Sequence, residues 1–377
     1  MDSKGLQKLK ELMNTDPAAA AEKIKDHVEK ENKIPLNIGI TGESGSGKSS
    51  FVNAFRGMSN ADEGAAPTGC VETTKHVTAY PHPRYPHMVL WDLPGVGTTN
   101  FPVDKYLELV AFKKFDFFII ISHTRFREND VKLAQAMKKM GKKFYFVRSK
   151  IDNDLRSEAR SKRDFSAEKT LKQVRGNCIQ GLQKEGFESL QVFLISSFDV
   201  NLHDFRLLHE TLERELPAHK KLALLLAVPN ISLEVINKKK EAFQNNIKYY
   251  AAASAAVAAV PLPGYSAGVD LKLMVTVIKQ YINGFRLDVT SLQRLSANAG
   301  VQFNDLKVVN TDLLRKLMLS VWFLLESMVA EEAFRLLPIF GIPATKSLSF
   351  TTTYKALNYF LNVLADDARR RHKELWG

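Results

Sequence analysis

Cysteine is scarce: two residues in 377, Cys70 and Cys178. Two cysteines make no disulfide framework and stand at no metal-binding spacing, so an apolar core has to hold the fold. That usage suits a reducing, intracellular compartment, and we expect a cytoplasmic protein. No uninterrupted apolar run reaches the roughly 20 residues that a membrane span needs. Tyr249–Pro263 is apolar but alanine-rich and ended by prolines, and Leu319–Leu325 is bounded by charges. The start, Met1-Asp2-Ser3-Lys4, has neither a signal-peptide core nor the glycine of a myristoylation site, so neither device is expected. Zinc-finger spacing and aromatic–basic RNA motifs are also lacking, and no nucleic-acid partner is expected. Acidic charge is the rarer sign, with 41 Asp and Glu against 53 Lys and Arg, a formal net charge of +12. The excess favours partners that carry negative charge, such as an anionic membrane face or a nucleotide.

What is present divides into three stretches. Leu6, Leu9, Leu12 and Met13 fall at helical spacing and Ala18–Ala21 favours helix, so residues 1–34 read as a helical segment. From Leu36 the pattern changes to short apolar runs: Leu36–Thr41, Met88–Asp92, Phe117–Ser122, Phe144–Ser149 and Val192–Ser196. They are too short for helices and rich in β-branched and aromatic residues, as parallel strands covered on both faces are. Helix candidates lie between them at Ser49–Arg56, Asp104–Phe112, Glu128–Met140, Ala167–Glu185 and Asp204–Glu215. This alternation predicts an α/β domain over residues 35–217, with ligands at the carboxyl ends of its strands. After Pro217 only helix is expected, at Lys238–Val260, Leu271–Asn283, Ser291–Ala297, Asp312–Leu337 and Thr351–Leu375. Residues 218–377 then form a predominantly helical second domain together with the N-terminal segment.

Gly42-Glu43-Ser44-Gly45-Ser46-Gly47-Lys48-Ser49, followed by Ser50, matches the phosphate-binding loop pattern in full, between a predicted strand and a predicted helix. Glycines let successive amides converge on phosphates at a helix N-terminus. Lys48 is expected to reach the β- and γ-phosphates and the Ser49 hydroxyl to ligate Mg²⁺. Asp92-Leu93-Pro94-Gly95 ends a second strand, with a carboxylate for the metal and a glycine amide for the γ-phosphate. Ser149-Lys150-Ile151-Asp152 ends a later strand. The carboxylate of Asp152 can accept from the ring nitrogen and exocyclic amine of guanine, a donor pair that adenine lacks, and Lys150 lies over the base or braces the loop. Ser196 and Ser197 follow the fifth strand where a Ser-Ala-Lys turn is usual, and are assigned to the base side. Thr68, Thr73 and Thr74 are candidates to complete the magnesium shell, with Thr68 favoured for its distance from Ser49. The order of these motifs predicts a Ras-like P-loop GTPase domain binding GTP or GDP with Mg²⁺. Val96 stands where small GTPases place the glutamine that orients water, so help with hydrolysis has to come from elsewhere.

The sequence closely resembles the interferon-inducible immunity-related GTPases. The likeness is carried by Thr41–Phe51, Gly64–Thr74, Leu90–Gly97, Tyr106–Ser122, Lys142–Asp152, Leu216-Pro217 and Val228–Ser232, and Lys48 places the chain with the GKS-type members. The resemblance implies a dynamin-related GTPase that oligomerises with GTP and acts on the membranes of intracellular pathogen vacuoles. It implies peripheral attachment to vacuolar or endomembranes. It also implies partners in the chain itself and in related family GTPases, with hydrolysis slow alone and activated by self-association. Glu43 and Glu72 match the positions that contact a second molecule and join Thr68 as candidate catalytic residues. Leu314–Leu337 and the basic end from Arg369 are candidate membrane devices. A nucleotide-gated module that binds membranes or effectors, with negligible hydrolysis, is the alternative.

Overall fold

A computed structural model of the chain describes residues 3–69, 74, 76–95, 112–124, 128–187, 190–257, 265–293 and 347–376. It divides into two compact units, Ile34–Ile231 and Met1–Lys33 with Ser232–Gly377. The helices expected at Asp104–Phe112, Ser291–Ala297 and Asp312–Leu337 lie wholly or mostly outside the described residues, as do Cys70, Glu72, Thr73 and Val96.

The first unit is built on a six-stranded sheet in the order β2-β3-β1-β4-β5-β6. Its strands are β1 (Leu36–Thr41), β2 (Thr78–Pro81), β3 (Met88–Asp92), β4 (Phe117–Ser122), β5 (Phe144–Arg148) and β6 (Val192–Leu194). The five expected apolar runs are the five parallel strands, and β4 and β5 are buried at every position. The sixth strand, β2, was not foreseen and pairs antiparallel with β3. Its residues alternate between half-buried and exposed, so no apolar run marks them, and Pro81 is tolerated because the strand is an edge.

The helices here are α3 (Lys48–Phe55), α4 (Glu128–Lys139), α5 (Ile151–Ser161), α6 (Ala167–Lys184), α7 (Phe205–Glu215) and α8 (Ala218–Ala227). Leu133 and Met137 of α4 and Leu182 of α6 pack with Phe118, Ile120, Phe146 and Leu194 of the sheet. Phe51 and Phe55 of α3 meet Phe205 of α7 at ring separations of 6.1 and 6.0 Å. Helix α8 lies against β1 and β3. Its Lys220 pairs with Asp116, which also accepts from the Asn37 amide at 2.8 Å. The unit therefore runs on to Ile231, past Pro217. In β1, a Cβ on Gly39 would come within 2.5 Å of the Phe118 ring. Gly39→Ala is expected to lower stability by about 1–3 kcal/mol by overpacking, read as an earlier denaturation midpoint.

The second unit is helical: α1 (Ser3–Thr15), α2 (Pro17–Asn32), α9 (Leu233–Val257), α10 (Tyr265–Gly284) and α11 (Ser347–Trp376). The alanine run of α9 is buried against Leu9, Met13, Ala20, Ile24 and Phe350. Small side chains let these helices approach closely, and the buried Ser254 hydroxyl is satisfied by Ser349 at 2.7 Å and Thr353 at 2.8 Å. Among the described residues no helix is long and apolar enough to cross a membrane.

Candidate nucleotide-binding site

The loop between β1 and α3 takes its shape from three glycines at positive φ: Gly42 at 143°, Gly45 at 75° and Gly47 at 94°. A Cβ on Gly42 would sit 2.0 Å from the Ile121 carbonyl, so the loop can cross β4 only without a side chain there. Gly47 caps α3, and Lys48, buried in the first turn, arches back over the loop. Its Nζ donates to the carbonyls of Gly42 at 3.2 Å and Glu43 at 2.8 Å. The loop thus encloses a cation at a helix N-terminus. Ser44, Gly45, Gly47, Ser49 and Ser50 line a cleft with it, joined by Thr68, Thr74, Gly95 and Lys150.

One wall of the cleft is an oxygen cluster. Ser49 Oγ donates to Asp92 Oδ2 at 2.6 Å and Thr74 Oγ1 to the same oxygen at 3.1 Å, with 3.4 Å between the two hydroxyls. Thr68 lines the cleft, but Thr74 is the threonine placed against Ser49 and Asp92. Asp92 is fully buried, and its Oδ1 has no hydrogen-bond partner among the described residues. Burial pushes its carboxyl above the usual range, against the hydrogen bond from Ser49, the Lys48 charge and the hydroxyl of Thr74. A buried carboxylate with an unused oxygen beside two hydroxyls suits a hard divalent cation such as Mg²⁺. Gly95 closes the cleft tightly: a Cβ there would lie 2.8–2.9 Å from Ser44. Gly95→Ala is expected to displace the loop and weaken GTP binding, measured by calorimetry against the parent chain.

The turn after β5 is tied to the same loop. The Ser149 hydroxyl donates to the Ser46 carbonyl at 2.6 Å and reaches the Ser122 carbonyl at 3.2 Å, and Lys150 Nζ donates to the Gly45 carbonyl at 2.8 Å. Lys150 takes a left-handed conformation, φ 57°, to start α5. Asp152 follows with its side chain 11% exposed and one oxygen paired with Arg156 at 2.7 Å. Beneath it, buried Arg148 pairs with Asp154 at 2.5 Å and pins the same helical turn.

A model of one family, interferon-inducible GTPase, matches residues 7–375. The chain belongs to that family. It is a GTPase, binding guanine nucleotide and hydrolysing GTP. It is 38% identical to "Interferon-inducible GTPase 5" of Rattus norvegicus over 365 residues, 94% of this chain and 79% of that one. To "Interferon-gamma-inducible GTPase 10" of Mus musculus it is 38% identical, over 89% of this chain and 81% of that one. To "Interferon-inducible GTPase 1" of Mus musculus it is 40% identical, over 76% and 70%.

In this GTPase Ser196 is fully buried, and its Oγ accepts from the amides of Phe198 and Asp199, both at 3.2 Å. Its hydroxyl is spent on shaping the turn, while Ser197 is half-buried beside it. Glu43 Oε1 accepts from Asn129 Nδ2 in the first turn of α4 at 3.0 Å. Sequence reasoning missed Asn129, since nothing local marks a residue 86 positions away as a partner of the loop. It also passed over the double tie made by Ser149, although the hydroxyl was visible in the motif.

Proposed function

We propose that this GTPase depends on Mg²⁺, self-associates when GTP is bound, and hydrolyses GTP slowly alone and faster in the assembled form. The observation that carries the reading is the cleft itself, where a lysine-bearing loop faces an oxygen cluster of buried Asp92 with half-buried Ser49 and Thr74. In it Lys48 and the amides of residues 43–50 hold the β- and γ-phosphates. Ser49, Asp92 and a threonine, Thr74 or Thr68, hold the cation, which when bound neutralises charge on the phosphates. The Gly95 amide meets the γ-phosphate. Asp152 accepts from the two guanine donors, Lys150 covers the base, and Ser196 and Ser197 shape its edge. Glu43 and Glu72 face a second molecule. Val96 supplies no polar group for water, which supports activation by a second copy.

Turnover per molecule is expected to rise with protein concentration, in step with light scattering that grows with GTP and not with ATP. Flat and very slow turnover would instead favour a nucleotide-gated module, the reading that Val96 also admits.

For cellular place we infer the cytoplasm, with peripheral binding to vacuolar or endomembranes in innate immunity, supported by the family and by the +12 charge. The basic end contributes little to that charge. Arg369 bonds Asp366 and Asn237, Arg370 pairs with Asp367, and buried Arg371 bonds Asp367 as well. Neutralising Arg369 and Arg370 is therefore expected to leave co-sedimentation with anionic vesicles near the parent level. A loss of binding would return the membrane contact to that helix end.

A further inference from the structure

The chain between α3 and β2 carries both threonines offered for the cation's shell, so whatever fixes that chain fixes them. Its first part, residues 57–66, is held from α3. The Gly57 amide donates to the Ala54 carbonyl at 2.9 Å and the Met58 amide to the Asn53 carbonyl at 2.8 Å, so the chain leaves the helix in a tight turn. The Ser59 amide then donates to Asp62 Oδ2 at 2.7 Å, and the Asp62 amide to the Ser59 carbonyl at 3.2 Å. Arg56 donates from Nη1 and Nη2 to the Gly64 carbonyl, both at 3.2 Å, and from Nε to the Pro81 carbonyl at 3.1 Å.

At the far end Asn53 closes the loop. Its fully buried side chain acts as a strand partner would: Oδ1 accepts from the Ala66 amide at 2.7 Å, and Nδ2 donates to the Ala66 carbonyl at 2.9 Å. Nδ2 also donates to Asn60 Oδ1 at 3.0 Å. Ala66 is itself fully buried, so its amide and carbonyl need a partner from the protein. Asparagine is a poor helix former, and here its amide serves the loop, not the helix. Thr68 stands two residues beyond Ala66 and lines the cleft. Thr74 bonds Asp92 Oδ2 and lies 3.4 Å from Ser49 Oγ. The chain that bears both threonines is thus tied at Ala66 to the helix whose first turn bears Lys48 and Ser49.

We propose that Asn53 is a positioning residue for GTP hydrolysis: through Ala66 it sets where the threonine-bearing chain meets the bound cation and the γ-phosphate. This rests on the reading that Thr68 or Thr74 completes the cation's shell. GDP has no γ-phosphate and is held by the phosphate loop and the base-reading turn. Loosening the tether therefore acts on turnover and on the demand for Mg²⁺, and leaves GDP affinity in place.

Full-length variants test it at one protein concentration, below any rise in light scattering. Asn53→Ala is expected to turn over GTP about ten-fold more slowly and to need several-fold more Mg²⁺ for half-maximal turnover. Its GDP affinity by calorimetry is expected to stay near the parental value. Phe205→Leu loosens the packing of α3 on α7 without touching the loop, and is expected to keep parental turnover and Mg²⁺ demand. Unchanged turnover and Mg²⁺ demand in Asn53→Ala overturns the proposal. An equal loss of GDP and GTP affinity would make Asn53 a brace of the phosphate loop, and overturns it too. So does the same kinetic signature in Phe205→Leu, which would trace the effect to general loosening. Should Asn53→Ala fail to fold, Asn60→Ala decides: half-buried Asn60 loses one bond of the tether, and the same signature is expected at smaller size. Parental kinetics there overturn the proposal. Parent hydrolysis that persists undiminished when a chelator removes Mg²⁺ would instead remove the cation reading beneath it.

Discussion

Lys48→Ala is expected to abolish measurable binding of GTP and GDP. Lys48 is buried in the first turn of α3 with its Nζ among loop carbonyls, so the charge lies inside the cradle before any phosphate arrives. When a polyphosphate enters, its oxygens replace the carbonyls as acceptors, and charge-assisted bonds replace neutral ones. Two such bonds at about 1.5–3 kcal/mol each amount to about 3–6 kcal/mol, a loss of at least about a hundred-fold in affinity. Calorimetry with Mg²⁺ present, alongside a thermal melt to show that the variant is folded, gives the answer. Retained GTP affinity in a folded variant would mean that the cradle around Lys48 is not the phosphate site.

Asp152→Asn is expected to move preference from guanine to xanthine nucleotides. The carboxylate offers two acceptors, which match the two donors on one edge of guanine. An asparagine offers one acceptor and one donor, and xanthine presents a carbonyl where guanine has its amine. One mismatched polar contact in this mostly buried turn costs about 1–3 kcal/mol, or about 5- to 150-fold against GDP. Losing the pair with Arg156 adds little, because the Arg156 side chain is 65% exposed and such surface pairs are weak. Competition between GDP and xanthosine diphosphate measures the shift. An unchanged ratio would place base recognition on another turn.

The central strands were legible because burial on both faces forces an unbroken apolar run, as in Phe117–Ser122. Edge strand β2 was not, since half of its residues face outward and its signal is short and mixed. Helix α5 was also missed. It opens on the motif residues themselves, carries five charges in eleven residues, two of them in its first turn, and buries only Ile151, so its apolar stripe is almost absent. In the site, the loop residues were readable because phosphate binding dictates glycine positions in sequence order. Thr74 and Asn129 were harder. Their roles depend on chain folding back over 25 residues to Ser49 and 86 residues to Glu43, a distance that no local pattern encodes.

Among the described residues the sheet ends at two borders, and both are blunt. On one side it stops at β2, four residues ending in Pro81, and on the other at β6, three residues long. Neither border presents a ladder of free amides and carbonyls long enough to recruit a strand from another molecule. Under the self-association proposed above, these two strands leave the meeting of copies to loops and helices. Strand-to-strand growth, the irreversible way for β-rich surfaces to polymerise, finds little to hold on either of these two strands.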